Sequence, residues 1–463
     1  MGGVIATRPS LEDRRIETRS WHGGCEVRSR LLHGLVRESG KKTREGMVEM
    51  HSCNGFILKY AGSPLLGLAS LLPGQAELAQ SKPEDKSPGD LRIYWNNGLR
   101  FGSSDKNFKF SFGGRIMNDW AFLAEDRSVR AAIGDLEDGT EFRRARLYLA
   151  GTLHKRIAFK AQYDHAGGDA DFKDVWIAVK GIPHLGTFQA GHFKERFGLE
   201  ELTSSKYITF MERALTNTFV PSRNTGFGLS DHVLDERMTW ALGVSRTTGG
   251  FGDVKEEGGF NVTARVTGIP WQEGEDRFLH VGLGFSQRSA PGGSLGFKHR
   301  PEAHLAPDFV STGPISADGE RLVGAELAVV HGPLSVQAEY MSALVDSATG
   351  SNPGFSGYYA MASWFPTGEH RAYKRSAGVF SRMKPAKPFL APDEGWGAWE
   401  VALRYSHVDL EDALVTGGEL SDITLGVNWY LTPNARVMWN YVRADLDRVG
   451  NADIFQMRLQ IDF

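Results

Sequence analysis

Three neighbouring segments of this chain carry cations at positions whose spacing places them on one face. In residues 142–149, Arg144 and Arg146 alternate with Ala145, Leu147 and Leu149. The following segment sets Arg156, Lys160 and Gln162 against Ile157, Phe159, Ala161 and Tyr163, and the preceding one sets Lys109, Ser111 and Arg115 against Phe110, Phe112 and Ile116. Period two is the signature of a β-strand with one apolar and one polar face. A planar guanidinium can donate two hydrogen bonds to a phosphate, whereas a lysine is a movable point charge. The chemistry such a set can perform is anion binding, with Arg144 as its leading strand-borne member and Arg115 and Arg146 beside it. Arg143 shares parity with Ala145, which turns it to the apolar face unless a bulge intervenes.

Other chemistries find little support. Gly292-Gly293-Ser294-Leu295-Gly296 matches the nucleophile-elbow pattern but follows Pro291 in a polar loop, where a strand entering a helix is required. The 14 histidines include no HExxH, and no GxxxxGK phosphate loop occurs. The formal net charge of -3, without a basic stripe interleaved with aromatics, gives no sign of a nucleic-acid partner. Cys25 and Cys53 both lie near the start of the chain. No catalytic residue, metal or cofactor is expected.

The elements that must position these cations are strands. From Phe108 onward about sixteen segments alternate, and the last is the clearest: Phe455, Met457, Leu459, Ile461 and Phe463 form one face, Gln456, Arg458, Gln460 and Asp462 the other. The same pattern recurs in Trp399, Val401, Leu403 and Tyr405 and in Ile423, Leu425, Val427 and Trp429. Alternation alone fits a soluble sandwich as well as a barrel. A transmembrane antiparallel β-barrel also accounts for Trp and Tyr near strand ends and for short turns such as 431–434 beside a long connection at 289–319. Residues 366–395 break the scheme, being long on the side that should carry short turns; either they fold back against the barrel or the strand count is off locally. Residues 192–223 have neither strand alternation nor a helical stripe and read as a functional loop.

That loop also carries a family resemblance. The run Gly191-His192-Phe193-Lys194-Glu195-Arg196-Phe197-Gly198-Leu199-Glu200, then Ser204-Ser205-Lys206, Met211-Glu212-Arg213 and Pro221-Ser222-Arg223-Asn224 resembles the phosphate-selective porins O and P. So do Phe142-Arg143-Arg144-Ala145-Arg146-Leu147, Gly357-Tyr358-Tyr359 with Thr367-Gly368-Glu369, and Gly426-Val427-Asn428-Trp429-Tyr430, in the family's order. The resemblance implies that 192–223 folds inward as the constriction of a homotrimeric outer-membrane barrel, with small anions such as phosphate and the outer-membrane lipids as partners. It also implies an anion site using Arg143, Arg144, Ser205, Lys206 and Arg213, with an acidic residue nearby, for which Asp174 has the parity. The competing reading of any one cation is a pair with Glu195, Glu200, Glu201 or Glu212 that merely solvates the wall.

Residues 80–107 read as a linker and pre-barrel segment, and 108–463 as the barrel. Residues 50–79 have the layout of a signal peptide, with Lys59 before an apolar stretch and small residues near Ala76, and 1–49 read as a mis-called or disordered extension. Removing 1–79 leaves more Asp and Glu than Lys and Arg, so any anion preference must come from local placement of charge. The expected function is passive, anion-preferring diffusion. A general, non-selective porin of the same fold is the alternative, and an outer-membrane enzyme or an adhesin are rivals from other classes.

Overall fold

The computed structural model describes residues 90–463 apart from 256 and 390–394. The segments 1–49 and 50–79 lie outside the described residues. Sixteen antiparallel strands follow one another around a closed barrel: β1 (Lys109–Glu125), β2 (Gly139–Leu153), β3 (Ile157–Asp164), β4 (Asp171–Ile182), β5 (Gly186–Lys194), β6 (Arg223–Val233), β7 (Met238–Arg246), β8 (Asn261–Gln272), β9 (Arg277–Ser289), β10 (Ile315–His331), β11 (Leu334–Ser347), β12 (Gly354–Trp364), β13 (Ala398–Asp412), β14 (Val415–Thr432), β15 (Ala435–Leu446) and β16 (Gly450–Asp462). Closure comes from β16 pairing with β1, Ala452 opposite Glu125 and Asp462 opposite Arg115. The pre-barrel segment is a hairpin, Leu91–Trp95 against Leu99–Ser103, whose second strand extends the seam by pairing with β1 from Lys109 to Phe112. Gly113 and Gly114 let the chain end approach: a Cβ on Gly113 would stand 2.2 Å from the Phe463 carbonyl.

The alternation is that of a barrel with lipid outside. On β16, Phe455, Leu459 and Ile461 are 44–48% exposed while Gln456, Arg458, Gln460 and Asp462 are at most 6% exposed. A soluble domain would show the reverse, because apolar side chains are the ones water expels. Trp399 stacks on Trp429 at 5.3 Å and on Trp439 at 6.4 Å, making a girdle of indoles at one rim. No helix among the described residues is long and apolar enough to cross a membrane.

The polar faces do not all meet water. Among the described residues, three connections enter the lumen: 195–222 and 290–314 from one rim, and 365–389 from the rim of short turns. These last residues belong to the 366–395 segment that broke the strand scheme; 365–389 fold back into the barrel, and the strand count stands. Phe197, Leu215 and Phe219 of the first insertion and Phe297 and Phe309 of the second pack with Leu322, Met341, Val345, Phe355, Val408 and Leu420 of the wall. This is a core inside the barrel. Burying a Phe or Leu contributes roughly 1.5–3 kcal/mol, enough in sum to hold the insertions in place. A cavity remains on the side of the early strands, where the cations stand.

Candidate anion site

The constriction loop is pinned at both flanks by hydrogen bonds between wall side chains and loop backbone. Glu339 of β11 accepts from the backbone N–H groups of Leu199 and Glu200 at 2.6 and 2.9 Å. Across the lumen Arg436 donates to the Ile208 carbonyl at 2.9 Å, Asn428 to that of Thr209 at 2.8 Å and Arg458 to that of Met211 at 2.5 Å. So fixed, the loop faces β1–β6 across a cavity of about 320 Å3. Its lining holds Arg115, Arg143, Arg144, Arg146, Lys160, Lys173, Lys194, Arg213 and Arg223 against the carboxylates of Asp174 and Glu201, with Ser204, Ser205, Asn217 and Ser222 between them.

Two irregularities in the sheet shape this lining. The β1–β2 register shifts between Met117 and Asn118, which pair with Arg144 and Phe142 and leave Arg143 as the extra residue of a bulge. Arg143 therefore turns inward with Arg144, against its nominal parity. A second shift between Ala161 and Tyr163 lies opposite Lys173 and Asp174, and both residues line the cavity although their parities differ.

Much of the charge is paired. Arg143 makes a two-pronged contact with Glu212 at 2.9 and 3.0 Å, and Arg146 meets Asp164 at 2.6 Å. Asp174 lies between Lys160 at 2.5 Å and Arg223 at 2.8 Å. Glu201 joins Lys194 at 2.7 Å and Arg213 at 2.9 Å, while Arg213 also donates to the carbonyls of Glu200, Glu201 and Thr203. The solvating role weighed for Glu195, Glu200, Glu201 and Glu212 is thus real: Glu195 takes Arg288 at 2.9 Å, and Glu200 takes Arg404 at 3.1 Å. Burial raises the Glu201 carboxyl, but Arg213 and Lys194 outweigh it and bring it to about 2; Glu212 is likewise held well below the usual carboxylate range by Arg143 and Arg144 against its burial.

Two cations are under-served. Arg144 is 3% exposed, reaches the Met117 sulfur at 3.6 Å and stands 3.8 Å from Glu212, and its Nε has no hydrogen-bond partner among the described residues. Arg115 donates to the Ser205 hydroxyl at 2.7 Å. A buried guanidinium with open donors is what an arriving oxyanion can satisfy.

Of the residues singled out from sequence, the structure brings Arg115, Arg143, Arg144, Arg146, Asp174, Ser205 and Arg213 around one cavity. Lys206 is set apart. Its ammonium turns to Asp462 at 3.1 Å and over the Tyr207 ring, into a neighbouring recess shared with Arg382 and Arg436. Arg156, expected inward, sits in a turn and donates to the carbonyls of Lys180 and Gly181. Lys194 and Arg223, both within the loop motifs, line the same cavity; at strand ends neither carries a parity signal that it curls into the site.

Burial lowers the Lys206 ammonium to about 8, with Asp462 opposing the shift. Its charge is present below that pH and lost above it. Anion over cation permeability in potassium chloride is therefore expected to fall from about pH 7 to about pH 9, and Lys206→Arg should abolish this step because a guanidinium keeps its proton there. Zero-current potentials across a salt gradient would show it.

Residues 110–463 match the family model described as phosphate-selective porin O and P. The chain belongs to that family. Porin O of Pseudomonas aeruginosa is 29% identical over 419 residues, covering 81% of this chain and 93% of that protein. An uncharacterized protein of Caulobacter vibrioides is 26% identical over 417 residues, covering 84% of this chain and 81% of its own. Among solved structures, a loop L8 deletion mutant of OmpT, an outer membrane protein of Vibrio cholerae, superimposes with a TM-score of 0.50 at 14% identity over 77% of this chain and all of that one. The porin is therefore an outer-membrane channel barrel, and its short turns face the periplasm.

Proposed function

We propose that this porin passes phosphate and related small oxyanions down their gradient, with the cavity around Arg144, Arg143, Arg115, Arg146, Ser205 and Arg213 as the point of contact. The observation that carries the reading is the excess of guanidinium and ammonium groups over carboxylates in the narrowed lumen, including Arg144, whose buried Nε has no hydrogen-bond partner among the described residues. Coulomb attraction strengthens as the effective dielectric falls, so a buried cluster acts on an anion more than the slightly acidic chain as a whole would suggest. Family membership and likeness to Porin O support the choice of phosphate, and the homotrimer is proposed on the same ground.

Transport also needs release. Asp174, bridging Lys160 and Arg223, keeps two cations from closing on the anion. Asp174→Asn is expected to lower the phosphate concentration that half-blocks chloride current by about three- to tenfold while reducing the saturated phosphate current, since one carboxylate's repulsion is lost at short range. The primary test is the zero-current potential of the purified porin in a planar bilayer under a chloride gradient, followed by phosphate titration. An anion-directed potential with current blocked by low phosphate supports the reading; a weak or cation-directed potential without block reduces the barrel to a general pore.

A further inference from the structure

We infer that Asp462, the penultimate residue, is a positioning residue that withholds Lys206 from the anion path and so sets how firmly the channel holds its cargo. The inference rests on the proposed anion function. Asp462 is 2% exposed and faces the lumen at the barrel seam, directly across from Arg115 in the β16–β1 pairing. Two cations from two different insertions converge on its carboxylate: Lys206 of the constriction loop at 3.1 Å, and Arg382 of the periplasmic-side insertion, which reaches both oxygens. Both cations also flank the Tyr207 ring, at 5.4 and 5.2 Å from its centroid. The backbone at this point is held independently, because Gln460 donates to the Lys206 carbonyl and Asn434 to that of Asp462.

The consequence is a division of labour between adjacent residues. Ser205 faces the cation cavity through Arg115, while Lys206 is turned into the neighbouring recess. With three rotatable donors on a flexible stem, a lysine goes where the nearest anion is. Asp462 is that anion when the channel is empty, and a passing phosphate must compete with it. Arg382 sets the strength of the competitor: it neutralises part of the Asp462 charge and thereby loosens the hold on Lys206.

Opposite signs in two variants test this, because damage to folding would push both the same way. In Asp462→Asn, Lys206 is released, and the phosphate concentration that half-blocks chloride current should fall about three- to tenfold. In Arg382→Gln, Asp462 holds Lys206 alone, and the same concentration should rise by a similar factor. Asp462→Glu should restore near-native block. In a Lys206→Gln background, Asp462→Asn should change block by less than about twofold, the mark of two residues acting through one contact. Equal shifts in the two single variants, or a full effect of Asp462→Asn without Lys206, would overturn the inference. A parent porin that shows no phosphate block would instead sink the anion reading itself, a result distinguishable because it appears before any substitution is made.

Discussion

Arg144→Ala is expected to raise the phosphate concentration needed to half-block chloride current by roughly 10- to 100-fold, while single-channel chloride conductance changes by less than about twofold. Charge-assisted hydrogen bonds contribute about 1.5–3 kcal/mol each, and a guanidinium can supply two to one oxyanion. Arg144 is placed to do so because its donors are not already spent: Arg143 beside it commits Nε and Nη2 to Glu212, whereas the Arg144 Nε has no partner among the described residues. The remaining cations still attract chloride, so selectivity for anions over potassium should survive. Arg144→Lys should fall between the two, keeping charge and losing the fork. Phosphate titration of the chloride current in planar bilayers measures all three. If alanine leaves the half-blocking concentration unchanged, the contact point lies elsewhere in the cluster.

Glu339→Ala is expected to increase single-channel conductance several-fold and to weaken anion selectivity, without unfolding the barrel. The Glu339 carboxylate caps two backbone N–H groups at the entry to the constriction loop and accepts from the Tyr359 hydroxyl at 2.5 Å. Truncation leaves three buried donors unsatisfied, at about 1–3 kcal/mol each. That penalty falls on the loop's attachment, while the wall keeps its ladder of interstrand bonds from β10 through β12. A loop so loosened swings from the lumen part of the time and widens the passage. Conductance traces with bursts to a larger open level would record it, and heat-modifiable migration of the detergent-extracted barrel would verify that the barrel persists. Unaltered conductance would mean that the apolar packing of Phe197, Leu199 and Phe219 suffices to hold the loop.

The barrel was legible in the sequence because a strand's two faces are written at period two. Phe455 to Asp462 shows an apolar and a polar face without reference to any other residue, and the exposure of Phe455, Leu459 and Ile461 on the closed barrel assigns the apolar face to lipid. The functional loop was legible for the opposite reason: 192–223 fits no period, and its motifs match a family. Arg144 and Arg146 could be assigned to the lumen by parity alone, since their strand is regular on that side.

Parity failed where the backbone departs from regularity. Arg143 is lumenal only because a bulge opposite Met117 and Asn118 adds a residue to its strand, and Lys173 joins Asp174 through a second shift. A bulge is a property of two paired strands, and neither strand records it by itself.

The sequence by itself determined the membrane-spanning strands, the identity of the constriction loop and the cationic character of its neighbourhood. Only the tertiary structure decided which charges are spent. Arg213, singled out as a ligand, is largely committed to Glu201 and three carbonyls. Lys206 faces Asp462, a residue at the other end of the chain. The periplasmic-side insertion enters the lumen and brings Arg382 to the same carboxylate. The physical reason is that hydropathy alternation acts locally, residue by residue, whereas the neutralisation of a charge depends on partners within about 4 Å, and in a closed barrel those partners come from segments remote in sequence.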